Sequence, residues 1–252
     1  MSKSSDPKQN HLLAALRVKD YARLLPDLEL IKMTLGESVY ERGVTMDYVF
    51  FPTTCMISLL YVMKNGDSAE IAVVGNDGLA GVAAYMGGDG MSSRAVVQCA
   101  GECFRLEANI MKSEFALGGS LQQLALRFTQ ALMAQMVQTG ACNRHHTLEQ
   151  QLCRWLLLTL DRLPGDKVTM TQQLIGNMLG VRRPGVTEAM DRLQESGAMR
   201  YTGGNITVLN RAKLERRACE CYGVVRNEIK RLFAFDLPDR VPAKPRLAVV
   251  GR

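Results

Sequence analysis

Histidine is scarce in this 252-residue sequence, and its scarcity excludes one class of enzyme. The only histidines are His11, His145 and His146, and residues 29–107 contain none. A small β-barrel that holds a catalytic metal in the cupin manner needs histidines on its strands. We therefore predict no metal site and no metal-dependent catalysis.

Long apolar runs and paired cysteine motifs are also missing. No window approaches the roughly 18 apolar residues that span a bilayer, and the polar start MSKSSDPKQN lacks the apolar core of a signal peptide. The seven cysteines form no CxxC motif. An odd number of scattered cysteines without an export signal predicts reduced thiols, a cytoplasmic location and no membrane partner.

Charge is distributed unevenly between the two halves of the chain. Residues 1–147 carry 13 Lys and Arg against 14 Asp and Glu, whereas residues 148–252 carry 18 against 11. A neutral first half followed by a half of net charge +7 indicates that only the second half meets a polyanion. A solvated basic surface is the alternative interpretation.

Short β-rich segments fill the first half, after apolar helical spacing in residues 7–25. Asn65-Gly66 predicts a hairpin turn, because both residues tolerate a positive φ. Many short strands at this spacing predict a small barrel or jelly roll within an α+β chain. The predicted strands are Glu29–Leu35, Ser38–Tyr40, Tyr48–Phe51, Met56–Met63, Ser68–Val74, Ala95–Gln98 and Glu102–Leu106.

A long helix is predicted next, over about Leu121 to Cys142. The apolar stripe of this helix must be buried against another surface. Pairing with a second copy of the chain across a two-fold axis would bury it. Packing on its own barrel is the alternative, and the register of the seam is left open between two neighbouring stripes. The predicted seam residues are Leu121, Leu124, Phe128, Leu132, Gln135 and Thr139.

Residues 169–195, TMTQQLIGNMLGVRRPGVTEAMDRLQE, have the pattern of a helix-turn-helix. Thr169 or Thr171 caps the first helix, Gly180 ends it in a left-handed conformation, and Pro184 occupies the first turn of the second. Both helices have one apolar face, and a turn of about three residues joins them. A capping box at Thr147 and Gln150 predicts a further helix, Leu148–Leu163, just before this motif.

The residues left outside the apolar faces predict DNA binding. The tip of the second helix enters the major groove in this motif, and an Arg there can bind guanine O6 and N7 together. Met199–Thr202, a glycine turn and Ile206–Leu209 predict a wing beside the motif. The candidate DNA-binding residues are Thr171, Arg182, Arg183, Gly185, Thr187, Glu188, Arg200 and Gly203.

In this order of elements the chain resembles the Crp/Fnr family of bacterial transcription regulators, over about residues 10–235. The most specific segment is TQQLIGNMLGVRRPGVTEAMDRLQESGAMRYTGGNITVLN, residues 171–210. The resemblance implies a homodimer on a two-fold-symmetric site of double-stranded DNA, with the long helix as its seam and Arg183 as a base-reading residue. It also implies a β-roll that responds to an effector, and RNA polymerase is a further candidate partner.

That resemblance divides the chain into four parts. Residues 1–118 are the predicted β-roll effector domain with its leading helices, and 119–146 the dimerisation helix and hinge. Residues 147–235 are the predicted winged helix-turn-helix domain, and 236–252 a loosely ordered tail.

The effector site departs from the cyclic-nucleotide-binding pattern of the family. Val82 replaces the Glu that holds the ribose, and Arg94 follows only after about two extra residues. An unpaired ribose hydroxyl would cost about 1–3 kcal/mol, so we predict no cofactor, with cyclic AMP disfavoured. Gly81, Arg94 and Ala95 remain a weak candidate site, and another ligand, a partner protein or no ligand remain open.

The cysteines give no cofactor motif either. The first is Cys55, too far along the chain for an N-terminal iron–sulfur site. Cys99 and Cys103 flank a predicted turn and are candidates for a redox pair. Cys219 and Cys221 fall on a predicted helix, Arg211–Phe235, where residues two apart point to nearly opposite sides.

Two other functions compete with DNA binding. One is a sensor that signals through protein contacts, and the other is a thiol enzyme that uses Cys142 with His145 or His146. Basic residues at the reading tip argue against the first. Adjacent histidines at a hinge are more often surface residues, so we assign no catalytic residue.

Overall fold

The structure, a computed structural model, describes residues 6–88 and 90–233. It combines helices with antiparallel sheets, which confirms the predicted α+β class. None of the helices in these two ranges has both the length and the apolar composition to cross a membrane. The predicted tail, 236–252, lies outside the described residues.

The first half forms a β-roll of two antiparallel sheets behind short helices. One sheet has the order β1-β7-β3 and the other the order β2-β6-β4-β5. The seven predicted strands are confirmed, and α4 was not predicted. The elements are α1 (His11–Ala14), α2 (Val18–Leu24), β1 (Glu29–Met33), β2 (Ser38–Tyr40), β3 (Tyr48–Pro52), β4 (Met56–Val62), β5 (Ser68–Val74), α3 (Ala83–Met86), β6 (Arg94–Cys99), β7 (Gly101–Glu107) and α4 (Ala108–Ala116).

The β4–β5 hairpin closes as its turn residues predict. Gly66 has a φ of +89°, which a side chain would disfavour. The Met63 amide donates to the Asp67 carbonyl at 2.7 Å, and the Asn65 side chain holds the Asp67 carboxylate at 2.7 Å. Local turn chemistry therefore sets the register of this hairpin.

The second half is a long helix followed by a winged helical unit. The capping box at Thr147 and Gln150 is present, as predicted. The three-residue β8 was not predicted, and the single helix expected over Arg211–Phe235 is two helices. The elements are α5 (Ser120–His145), α6 (Leu148–Leu160), β8 (Lys167–Thr169), α7 (Gln172–Leu179), α8 (Arg183–Glu195), β9 (Met199–Thr202), β10 (Asn205–Val208), α9 (Arg211–Arg217) and α10 (Glu220–Phe233).

The stripe of α5 that was predicted to form a dimer seam packs on the β-roll of the same chain. Phe128 lies so close to Gly78 that a Cβ there would come within 1.8 Å of the ring. The Gln135 amide donates to the Val73 carbonyl at 3.3 Å. Apolar periodicity identifies a buried face but does not say what covers it, so the alternative of packing on the barrel holds. The buried residues are Leu121, Leu124, Phe128, Leu132, Gln135 and Thr139.

A different face of α5 remains open to solvent. Leu126, Met133 and Val137 are 50%, 57% and 73% exposed. Gln130 and Gly140 continue the same line and are also exposed. Their alternating spacing of four and three residues is that of a coiled-coil seam. We call this line of residues the open α5 face.

Arg162, just beyond α6, connects the β-roll, α5 and the winged unit. Its side chain is 3% exposed and its guanidinium meets the Asp77 carboxylate at 2.8 Å. The same group donates to Gln135 Oε1 at 3.3 Å and to the Leu158 carbonyl at 2.8 Å. These bonds satisfy a charge that would otherwise be costly to bury.

Glu70 is a second buried charge at the same junction, on β5. Burial raises the pKa of Glu70 to about 7, although the Ser58 hydroxyl and the guanidinium groups of Arg154 and Arg162 lower it in part. Ser58 on β4 bonds the carboxyl, and its hydroxyl also reaches Met178 Sδ of α7 at 3.4 Å. The proton on Glu70 is therefore held at the contact between the β-roll and the winged unit.

We expect Glu70 to make the protein less stable as the pH rises through neutrality. Because its pKa is raised from 4.5 to about 7 in the folded chain, the folded state binds the proton more tightly. The resulting stability, on the order of 3 kcal/mol, is complete below pH ~4.5 and lost as the pH rises through ~7. Urea unfolding followed by the fluorescence of Trp155 measures it. The Glu70→Gln variant should lack this decline, and parallel pH profiles for the two proteins would contradict the assignment.

Candidate nucleic-acid interface

The first helix of the predicted helix-turn-helix begins and ends as its sequence requires. The Thr171 hydroxyl accepts from the Leu174 amide at 3.2 Å, so Thr171 is the N-cap of α7. Gly180 closes the helix with a φ of +66°, a conformation that favours glycine. The Thr171 side chain serves α7 itself in this arrangement.

The second helix of the motif, α8, begins at Arg183. Arg182 is the extended N-cap, Arg183 is the first helical residue, and Pro184 follows in the first turn. Proline is tolerated there because its missing N–H has no partner in the helix. The apolar face of α8 is fully buried against the rest of the winged unit, through Val186, Ala189, Met190 and Leu193.

The tip of α8 projects two arginines into solvent. Arg182 and Arg183 are exposed, and within residues 6–88 and 90–233 no carboxylate pairs with either guanidinium. The free amides at a helix N-terminus add a positive potential at the same place. The tip is therefore built to meet negative charge or base acceptors.

Two other predicted contact residues of α8, Gly185 and Thr187, have partners inside the protein. Gly185 packs against α6, where an added Cβ would stand 3.0 Å from the Leu148 side chain. The Thr187 hydroxyl bonds Gln172 of α7 at 2.8 Å. Both residues thus take part in helix packing within the winged unit, and their role as DNA contacts stays a prediction.

Glu188 is exposed on α8 but forms part of a surface ion-pair chain. Its carboxylate meets Arg192 at 2.6 Å, and Arg192 also meets Glu149 of α6 at 2.9 Å. Arg217 of α9 contacts the same Glu149 carboxylate at 2.7 Å. The chain of charges orients Glu188 along α8.

The predicted wing is present beside α8. Strands β9 and β10 pair antiparallel across a tight turn in which Gly203 and Gly204 have φ values of +57° and +85°. Strand β8 adds to the free side of β10. Arg200 and Gly203 are both exposed on this sheet, so the structure leaves them accessible to a ligand.

The sequence of this region matches a family model. Residues 150–217 match the Crp-like helix-turn-helix domain. The winged unit is therefore similar to a Crp-like helix-turn-helix domain. No curated protein sequence is similar enough to the whole chain to count as a match.

Solved structures extend the likeness to the β-roll and α5. FixK2 from Bradyrhizobium japonicum is 14% identical, with a TM-score of 0.61 over 76% of this chain and 98% of its own. A CRP family transcriptional regulator from Thermus thermophilus is 20% identical, with a TM-score of 0.61 over 75% and 96%. The c-di-GMP responsive global regulator CLP of Xanthomonas campestris is 11% identical, with a TM-score of 0.60 over 76% and 99%. The predicted resemblance to the Crp/Fnr family is thus confirmed in fold.

The candidate effector residues do not converge on one pocket. Arg94 pairs with Glu41 at 3.0 Å and lines a cavity of about 210 Å³ that also borders Met178 of α7. Ala95 is fully buried in β6, and Gly81 lies against the backbone of β3. A role of these three residues in binding an effector stays a prediction.

A separate cavity of about 350 Å³ lies between α3 and α5. Among the described residues, its lining carries no charged side chain. A cyclic nucleotide brings a phosphate, which such a lining does not neutralise. The lining consists of Val82, Ala83, Met86, Gly88, Gly90, Met91, Thr129, Leu132, Met133 and Met136.

The packing of the cysteines favours neither the predicted redox pair nor the thiol-enzyme alternative. Cys103 packs beside Cys55, whereas Cys99 belongs to a different apolar cluster. Burial raises the pKa of Cys99 to about 12 and that of Cys103 well above its ordinary value. Cys142 is fully buried, and a nucleophilic thiolate needs access to its substrate.

We expect Gly176→Ala to destabilise the winged domain. A Cβ on this buried residue of α7 would stand 2.8 Å from the Val181 carbonyl oxygen, so the turn before α8 would have to shift. Overpacking of this kind costs about 1–3 kcal/mol. Urea unfolding with Trp155 fluorescence reports on this domain, because Trp155 belongs to its core.

Gly223→Ala is the matched control for this substitution. Gly223 is helical, in α10, and has nothing within 4 Å of its added Cβ. Alanine should therefore stabilise the protein there, by roughly 0.5–1 kcal/mol. If both substitutions shifted stability in the same direction, close packing at Gly176 would not be the cause.

Proposed function

We propose that this protein is a sequence-specific DNA-binding regulator of transcription that acts as a homodimer. The observation that carries the proposal is the pair of unpaired arginines, Arg182 and Arg183, exposed at the tip of α8. The proposal is supported by the match of residues 150–217 to the Crp-like helix-turn-helix domain. In such motifs the tip of the second helix meets base edges in the major groove. A regulator of this kind works where bacterial DNA lies, in the cytoplasm.

Arg183 is the residue we propose to read a base. Its guanidinium can donate two hydrogen bonds to guanine O6 and N7. Arg182 and Arg200 are placed to bind phosphates on either side, which positions the domain without reading sequence. Glu188 can accept from a cytosine amine if Arg192 releases it.

The open α5 face is the surface we propose for the dimer. Its exposed apolar side chains repeat with coiled-coil spacing, and a two-fold axis along α5 would cover them with their own copies. A symmetric dimer presents two α8 tips, which suits two half-sites one helical turn apart. This face replaces the seam that sequence periodicity indicated.

The cavity between α3 and α5 is the place where we propose an effector would act. Four of its lining residues belong to α5, namely Thr129, Leu132, Met133 and Met136. Met133 also belongs to the open α5 face, so a ligand there would touch the proposed dimer surface directly. The methionine-rich lining favours an apolar group over a cyclic nucleotide. A contact with RNA polymerase stays a prediction.

Arg183→Ala should weaken binding to the preferred DNA site by about 1–3 kcal/mol, because a bidentate base contact is lost. The preferred site is first selected from random duplexes, and affinities are then measured by gel shift at several salt concentrations. Affinity for random DNA should change much less.

Two results would contradict this role of Arg183. An equal loss on selected and random duplexes would mean that Arg183 touches only phosphate. Selection that yields no enriched sequence would overturn sequence-specific binding itself. Arg42→Ala is the control, since Arg42 is an exposed arginine of the β-roll and should leave both affinities unchanged.

Val137→Glu should weaken the dimer at least about tenfold, because two buried carboxylates would face each other across the axis. Sedimentation velocity over a dilution series measures the change. Val18→Glu is the matched control, since Val18 is an exposed valine of α2 and is not part of the open α5 face. A dimer that persists unchanged in Val137→Glu would place the interface elsewhere.

A further inference from the structure

Three cysteines and a histidine from distant parts of the chain meet at the end of α5. Cys142 lies in its last turns and His146 caps it, four residues later. Cys219 lies in the break between α9 and α10, and Cys221 in the first turn of α10. Their three sulfur atoms and one imidazole nitrogen all lie within 4.8 Å of one another.

The break before α10 explains why the sequence analysis missed this cluster. A continuous helix would point Cys219 and Cys221 apart, but Cys219 precedes α10 and is not helical. Residues four apart on α5 share one face. The pattern C-x3-H followed by C-x-C was the available signal, and only the packing of α10 on α5 brings its halves together.

The distances match a tetrahedral zinc site. With zinc–sulfur bonds of about 2.3 Å and a zinc–nitrogen bond of about 2.0 Å, neighbouring ligand atoms lie about 3.6–3.8 Å apart. The Cys142 and Cys219 sulfur atoms are 3.5 Å apart, and Cys221 Sγ is 3.5 Å from His146 Nδ1. The remaining pairs lie within 4.8 Å, so an ion at the centre would draw the ligand atoms closer by up to about 1 Å.

Neighbouring groups support the ligands as they do in known zinc sites. His146 Nε2 lies 3.2 Å from a carboxylate oxygen of Glu220, the arrangement that orients a metal-bound imidazole. The Gln138 amide donates to Cys221 Sγ at 3.0 Å, which would stabilise a thiolate. These contacts select His146 Nδ1 as the ligand atom.

The three cysteines of the cluster are buried, His146 is half-buried, and a buried cation lies nearby. Cys142, Cys219 and Cys221 are 0%, 5% and 0% exposed. Three thiolates with one Zn²⁺ carry a net charge of −1, and the charge of buried Arg154 acts on Cys142. The Arg154 Nε has no hydrogen-bond partner among the described residues. Four protein ligands with no open position are typical of a structural zinc rather than a catalytic one.

We propose that Cys142, His146, Cys219 and Cys221 bind one Zn²⁺, which fastens α10 to the hinge end of α5. The ion would join segments that lie more than 70 residues apart in sequence. It would thereby fix how the winged domain leaves the long helix. The proposal departs from the expectation of no metal site, and it does not depend on DNA binding.

The experiment measures metal content and metal geometry in the full chain. Protein purified in reducing, chelator-free buffer should contain about one zinc per chain, as measured by inductively coupled plasma mass spectrometry. Cobalt substituted for zinc should give the visible bands of a tetrahedral ion and the ultraviolet charge-transfer band of thiolate ligands. Zinc should also raise the midpoint of thermal unfolding, because it binds only the folded site.

Paired variants separate binding from folding. Cys142→Ala and His146→Gln should lose the ion, whereas the neighbours Cys153→Ala and His145→Gln should keep it. His146→Cys should retain zinc through a fourth thiolate and show a stronger thiolate band with cobalt. This variant keeps the test decisive if Cys142→Ala fails to fold.

Several results would overturn the proposal. These are folded protein that takes up no zinc, a disulfide between Cys142 and Cys219 in the reduced preparation, or iron with acid-labile sulfide in place of zinc. A cobalt spectrum without thiolate bands, or unchanged by His146→Gln, would also assign the ion to another place.

Discussion

The buried guanidinium of Arg162 is the constraint on which the arrangement of this molecule depends. It comes from the end of α6, bonds a carboxylate in a β-roll turn, and reaches an amide on α5. The turn is shaped for it, since a Cβ on Gly75 would stand 2.6 Å from the Arg162 side chain. Moving any one of the three parts would strand a charge away from water, at a cost of about 3–5 kcal/mol. The β-roll, α5 and the winged unit are therefore held in one relative position.

Much of this architecture follows from local sequence. The β-branched segments before residue 107 became strands with ends within about two residues of those expected, because each is bounded by a turn that its own residues favour. The helix-turn-helix was equally readable, since Thr171, Gly180 and Pro184 each act through their own backbone geometry. Arg182 and Arg183 were found at the exposed tip for the same reason.

What could not be predicted depends on which surfaces meet. The apolar stripe of α5 was visible, but the β-roll and a second copy would both cover such a stripe, and only the packing decides. Gly185 was a candidate DNA-binding residue, and its close packing against the Leu148 side chain was not visible in the sequence. Arg94 was a candidate effector residue because of its position in the sequence, but its side chain forms an ion pair with Glu41. The cluster around Cys142 needed a break in a helix and a tertiary contact at once.

From Gln151 to Leu160, helix α6 has no side that faces water, because every residue in this range is buried. Its apolar side chains belong to the same cluster as Met56 and Val73 of the β-roll. If the winged unit moved away from the β-roll, the buried apolar side chains of α6 would become exposed to water. Each 100 Å² of apolar surface exposed in this way costs about 2.5 kcal/mol. A signal that passes from the β-roll to α8 must therefore be a small rotation or slide that keeps α6 buried. It cannot be a separation of the β-roll from the winged unit.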